Sequence, residues 1–137
     1  FSLMSSGMKY KEISEILKID PKELYQVFNR EQNKNNITRI LRTKITSFSR
    51  YHSGEPLFTV EELISKIGPN PKCYLTNDPI DLSQRDTYQL DHIIPRSKGG
   101  LDTLENCGLV TKAANMIKHD LLLSDLINIC HKIINNN

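Results

Sequence analysis

One stretch limits the fold of this chain more than any other: Leu90–Lys118, LDHIIPRSKGGLDTLENCGLVTKAANMIK. Thr87–Ile94 is rich in β-branched and aromatic residues and suits a strand. Pro95 must end it, because proline brings no amide hydrogen to a sheet ladder. Gly99-Gly100 marks a loop, and Cys107–Thr111 suits a second short strand, antiparallel to the first. Lys112–His119 follows without a breaker and reads as a helix. Two strands and a helix are therefore expected in an otherwise helical chain. The fold class this implies is α+β, mostly helical with a small ββα core.

A length of 137 residues fits one compact domain, or a small domain with an appendage. With 38% hydrophobic and 25% charged residues, the composition is that of an ordinary globular chain. No run of about 18 apolar residues exists, so no membrane span is expected. The opening FSLMSSGMKYKE lacks the basic flank, apolar centre and small-residue cleavage site of a secretory signal. Phe1 in place of an initiator methionine fits a piece of something longer. Cys73, Cys107 and Cys130 are odd in number and form no CxxC pair, which argues against a disulfide framework. An intracellular, reducing compartment is the expectation. The net charge of +2 says little; its distribution says more.

Residues 9–30 read as two short helices with a tight turn. Ile13, Ile16 and Leu17 form one apolar face, and Leu24, Val27 and Phe28 form the next. Between them Asp20 stands as an N-cap, Pro21 fits the first helical position and Glu23 completes a capping box. The pair resembles the helix-turn-helix of sigma-factor-like and recombinase-like DNA binders, which would set Lys22, Glu23, Gln26, Asn29 and Arg30 on the outer side. Lys18 stands in the turn where such motifs often have glycine, and a helical hairpin that only packs is the plainer alternative.

Residues 32–54 then hold Lys34, Arg39, Arg42, Lys44 and Arg50 and no acid. Ile37, Ile40, Leu41, Ile45 and Phe48 fall at helical spacing, so a basic amphipathic helix tracking phosphate is expected, with Arg39, Arg42 and Lys44 in contact. A solvated face on a linking helix is the competing account. Gly54, Glu55 and Pro56 break the pattern and put a domain boundary between Ser49 and Pro56, giving domains 1–50 and 51–137. Thr59 and Glu62 make a capping box for a short helix ending at Gly68. Asn77-Asp78-Pro79 supplies turn chemistry. At the end, Ser124 is expected to cap a helix whose face of Leu126, Ile127, Cys130, Ile133 and Ile134 packs on the core.

The chemistry concentrates at Asp91-His92, at Asn106 14 positions after that histidine, and at Asn115 nine further on. Hydrolysing a phosphodiester requires an activated water, charge to balance the phosphate and help for the leaving oxygen. His92 suits proton transfer near neutral pH. Asp91 and Asn115 offer hard oxygen ligands to a divalent ion such as Mg²⁺ or Mn²⁺. Adjacent residues on a regular strand point to opposite faces, so Asp91 and His92 share a site only if the backbone distorts or the site straddles the strand end.

With LDHIIPRSKGG, then LEN, then AANMIK, the chain resembles the HNH (ββα-metal) endonucleases over roughly residues 73–132, of the phage and mobile-element type. That resemblance implies a DNA endonuclease with His92 as general base, Asp91 and Asn115 as metal ligands, and Asn106 as the middle Asn, bracing the loop. It also implies 5′-phosphate and 3′-hydroxyl products. By the same analogy Arg96, Lys98 and Lys118 are expected on phosphate, with His119 a weaker candidate. Many members hold a structural zinc with two CxxC pairs; only Cys73 remains here, which argues against such a zinc. The C-terminal helix would then supply the missing stability, and Cys107 and Cys130 would be small buried hydrophobes. The expected partner is DNA, with no membrane, and a homodimer or a larger chain is compatible. Rival classes are a non-catalytic DNA-binding regulator with an HNH-derived fold and a structure-selective or RNA-directed nuclease module of a larger protein.

Overall fold

The computed structural model describes residues 7–49 and 56–137. Arg50, His52, the break at Gly54-Glu55 and most of the expected boundary between Ser49 and Pro56 lie outside the described residues. By backbone packing the chain divides into two compact units, Phe1–Ile37 and Thr38–Asn137.

In the first unit, helix α1 spans Tyr10–Leu17 and the long helix α2, Pro21–Phe48, begins after a tight turn. Lys18 takes the left-handed conformation (φ 53°) that the sequence offers no glycine to relieve. Ser14 holds the turn: its hydroxyl donates to the Ile19 carbonyl at 2.8 Å, and Ile19 N donates back to the Ser14 carbonyl at 3.2 Å. Asp20 caps α2 by accepting from Lys22 N at 2.8 Å and Glu23 N at 3.3 Å. Tyr10 packs edge-to-face with Tyr25 and with Phe28, centroids 5.6 Å apart in each pair, and Ile13 is buried. Ile16 and Leu17, expected on the buried face, are exposed.

The sequence reading separates a helix near Arg30 from a basic helix after it. The two are one helix of 28 residues. No glycine or proline interrupts Pro21–Phe48 beyond its first position, and each of its asparagines costs under about 0.7 kcal/mol in a helix interior.

The second unit buries Ile40, Leu41, Ile45 and Phe48, the far end of α2, with Phe58, Val60 and Leu63. Phe58 lies edge-on to Phe48 at 5.8 Å, just before helix α3, Val60–Ile67. The expected capping box is present: Thr59 N donates to Glu62 Oε2 at 2.7 Å and Glu62 N to Thr59 Oγ1 at 3.2 Å. Strands β1 (Tyr88–His92) and β2 (Cys107–Thr111) pair antiparallel in register from Tyr88↔Thr111 to His92↔Cys107. Tyr88 and Val110 are fully buried. Thr111 caps helix α4, Lys112–Lys118, by accepting from Ala114 N at 3.3 Å. Among the described residues these give an α+β, mostly helical chain with one two-stranded sheet.

Helix α5, Leu123–Asn136, departs from expectation. None of its residues is buried; Ile127, Ile133 and Ile134 are 47%, 58% and 70% exposed, and Cys130 is exposed as well. Its N-cap is Leu122, without a side-chain cap, and not Ser124. Amphipathic spacing shows that a helix has an apolar face; it does not supply the surface that covers it. The stability of the second unit rests instead on α2, α3 and the sheet. Among the described residues no helix is long and apolar enough to cross a membrane.

Candidate active site

The β1 end and the loop after it are held by one side chain. Asn106 Oδ1 accepts from Ile94 N at 2.8 Å, and its Nδ2 donates to Ile94 O at 3.0 Å and to Leu101 O at 2.9 Å. Its backbone carbonyl accepts from Ile93 N at 2.9 Å, so both edges of the loop are pinned to one residue. Between them, Arg96–Lys98 form a single 3₁₀ turn closed by Gly99 at φ 87°. Gly100 must be glycine for another reason: a Cβ there would lie 1.7 Å from the Ile94 carbonyl oxygen.

That loop fixes His92. The imidazole lies flat on Phe48, with centroids 3.9 Å apart and planes 7° from parallel. Its Nε2 is 2.7 Å from Asp102 Oδ1, and Asp102 is 3% exposed. Arg96 clamps the same carboxylate through Nε at 2.8 Å and through Nη2, which also donates to the Phe48 carbonyl at 2.9 Å. Helix α2, the loop and the strand end therefore converge on one ring. Among the described residues, nothing hydrogen-bonds its Nδ1.

Asp91 sits on the other side of the strand. The ladder stays regular to its end (Asp91↔Gly108, His92↔Cys107), so neighbouring side chains alternate. Asp91 Oδ2 accepts from the Tyr74 hydroxyl at 2.6 Å and pairs with Lys118 Nζ at 2.9 Å. Lys118 is fully buried and also donates to the His92 carbonyl at 3.0 Å. Tyr74 reaches Asp91 because Tyr74 N donates to Leu109 O at 2.9 Å and because Gly108 leaves room: a Cβ on Gly108 would meet the tyrosine ring at 2.6 Å. Burial, and then the hydrogen bond to Asp91, hold the Tyr74 phenol well above its usual range. Burial likewise lifts the Cys107 thiol to about 12.

Residues 73–122 match the family model of HNH endonucleases. The chain carries an HNH endonuclease domain. No curated protein and no solved structure is matched at a significant level.

Within the HNH domain, Asn115 occupies the middle of α4, one turn before Lys118 and on the same helix face. Its side chain has no hydrogen bond to a described residue. Lys118, expected on phosphate, is enclosed at Asp91. Arg96, also expected on phosphate, holds Asp102. Lys44, on α2, donates to the Tyr88 carbonyl at 2.7 Å and sits 4.3 Å from the centre of the Tyr88 ring. Its ammonium is held below the usual lysine range, chiefly by burial. Arg39, Arg42, Lys98 and His119 are exposed.

Sequence reasoning missed Asp102, Tyr74 and Phe48. Asp102 carried a signal, an acid two positions after the glycine pair and inside the motif. Phe48 and Tyr74 carried none, because their contacts with His92 and Asp91 span 44 and 17 positions of sequence.

Proposed function

We propose that the chain is a divalent-metal-dependent DNA endonuclease that hydrolyses phosphodiester bonds, with His92 as general base. The observation that carries this reading is the restraint on the His92 ring. Nε2 is committed to Asp102, one face is covered by Phe48, and Nδ1 has no hydrogen-bond partner among the described residues. A base held in one orientation takes the proton of an attacking water without first losing rotational freedom. Asp102, itself steadied by Arg96, favours the tautomer with the proton on Nε2 and leaves Nδ1 as the acceptor.

The donor set fits Mg²⁺ or Mn²⁺. Among the described residues, Asp91 Oδ1 has no hydrogen-bond partner while Tyr74 and Lys118 hold Oδ2, and the Asn115 amide has none either. Two hard oxygen donors suit an ion that retains several waters and takes phosphate oxygens. Asp91 and Asn115 would hold it. A divalent ion there supplies positive charge to the scissile phosphate and the leaving oxygen. Because His92 and Asp91 flank the end of β1, the phosphodiester has to lie across that strand end. Arg39, Arg42 and Lys98 add exposed positive charge for the DNA backbone.

The test is a supercoiled-plasmid assay in Mg²⁺ and in EDTA. The wild type is expected to nick or linearise DNA only with metal, and His92→Ala to lose cleavage while keeping DNA affinity. Cleavage at the wild-type rate by His92→Ala would refute the proposed base. Asn115→Ala is the cleaner ligand test, since Asp91→Ala also leaves the buried Lys118 ammonium unpaired, a defect worth about 3–5 kcal/mol.

A further inference from the structure

A cleft of about 480 Å³ opens beside His92, between the second half of α2 and β1. Lys44, Arg85, Arg96 and Lys112 line it, with Asp86 as the one carboxylate among the described residues of its wall. The four cations are not equivalent. Arg96 is paired with Asp102, and Lys44 is half-buried against Tyr88. Arg85 and Lys112 are exposed, and their side chains make no hydrogen bond or ion pair with a described residue. They are the uncommitted charge of the cleft. Arg85 also lies close enough to Lys44 to help depress its ammonium, after burial and against Asp86. Like charges gathered at a polar opening next to a candidate base suit an anionic ligand. The volume is that of a site for a small organic molecule, which matches a nucleotide unit of a longer strand.

We propose that this cleft seats the substrate strand, with Arg85 and Lys112 contacting backbone phosphates beside the one that reaches His92. The proposal rests on the nuclease reading and adds the path of the strand. The strand runs along the α2 side of β1 up to His92. Asp86 opposes it: a carboxylate in the wall repels phosphate, so its removal should tighten binding. Contacts of this kind recognise the polynucleotide backbone without reading bases.

The experiment is fluorescence anisotropy of the full chain with labelled DNA and RNA oligonucleotides of one sequence, in EDTA, across a salt titration. The slope of log affinity against log salt is expected to flatten by about 0.7–0.9 for each of Arg85→Gln and Lys112→Gln. The double variant should bind more weakly at every salt concentration, and Asp86→Asn should bind more tightly than the wild type. Both cations are exposed, and circular dichroism of each variant checks that its helices are kept. A double variant with the wild-type slope, an Asp86→Asn chain that binds no tighter, or a wild type that binds neither DNA nor RNA overturns the proposal. Plasmid cleavage separates the two readings. Cleavage that depends on His92 with unchanged slopes removes the cleft and keeps the nuclease; flattened slopes without cleavage do the reverse.

Discussion

Replacing Asp102 with alanine tests whether the carboxylate behind His92 is structural as well as chemical. Among its contacts with described residues, the substitution removes those to His92 Nε2 at 2.7 Å, to Arg96 Nε at 2.8 Å and to the second arm of Arg96. A hydrogen bond to a charged group contributes about 1.5–3 kcal/mol when buried. Asp102 is 3% exposed, but the Arg96 side chain is 27% exposed and keeps the Phe48 carbonyl, so solvent recovers much of its share. The net loss is then about 2–3 kcal/mol. For a unit of roughly this size, each kcal/mol lowers the melting temperature by about 4–8 °C, so a fall of roughly 8–24 °C is expected. Thermal melting of the full chain at pH 7, followed by circular dichroism, reads it directly. Asp102→Asn keeps one acceptor and should fall between. A melting temperature within about 3 °C of wild type for Asp102→Ala would show that the clamp contributes no more than a surface pair, and the account of His92 restraint would fail with it.

Other expectations follow from the same unit. Gly108→Val would place its side chain in the Tyr74 ring, which a Cβ already meets at 2.6 Å. Tyr74 must leave Asp91, and the substitution should destabilise by about 1–3 kcal/mol, measured by urea denaturation; wild-type stability would refute the packing. Alkaline pH should also weaken the fold. Burial raises the thiol of Cys107 from 9.0 to about 12 and the phenol of Tyr88 from 10.0 to about 12. The folded chain therefore binds more protons than the unfolded one in that interval, and stability is fully present below about pH 9 and lost as pH rises toward 12. Cys107→Ala should shallow the decline in melting temperature between about pH 9 and 11, and an unchanged pH slope would exclude the thiol as its source.

The elements with strong local signals were legible from sequence. Cys107–Thr111 is a strand because its apolar run is short and bounded, and Thr59 with Glu62 starts α3 as a capping box does. Asp91, His92, Asn106 and Asn115 stood out by joint type and spacing. What was not legible depends on contacts between distant positions. Nothing local says that Phe48 would lie on His92, or that Lys118 would turn inward to Asp91 rather than outward to solvent. Helix α5 errs in the opposite direction. Its isoleucines have the periodicity of a packed face, yet the short link Asp120–Leu122 leads the helix to a place where none of them is buried.

The Lys118 ammonium gives the HNH domain a built-in counter-ion. A carboxylate poised for a metal commonly depends on that metal for its folded geometry, so that stripping the ion loosens the protein. Here Oδ2 of Asp91 is already neutralised from within, by a residue that also grips the His92 carbonyl. On the proposed metal reading, loading of the ion and architecture are uncoupled. A chelator should silence the chain without melting it, and the emptied site should stand ready to refill.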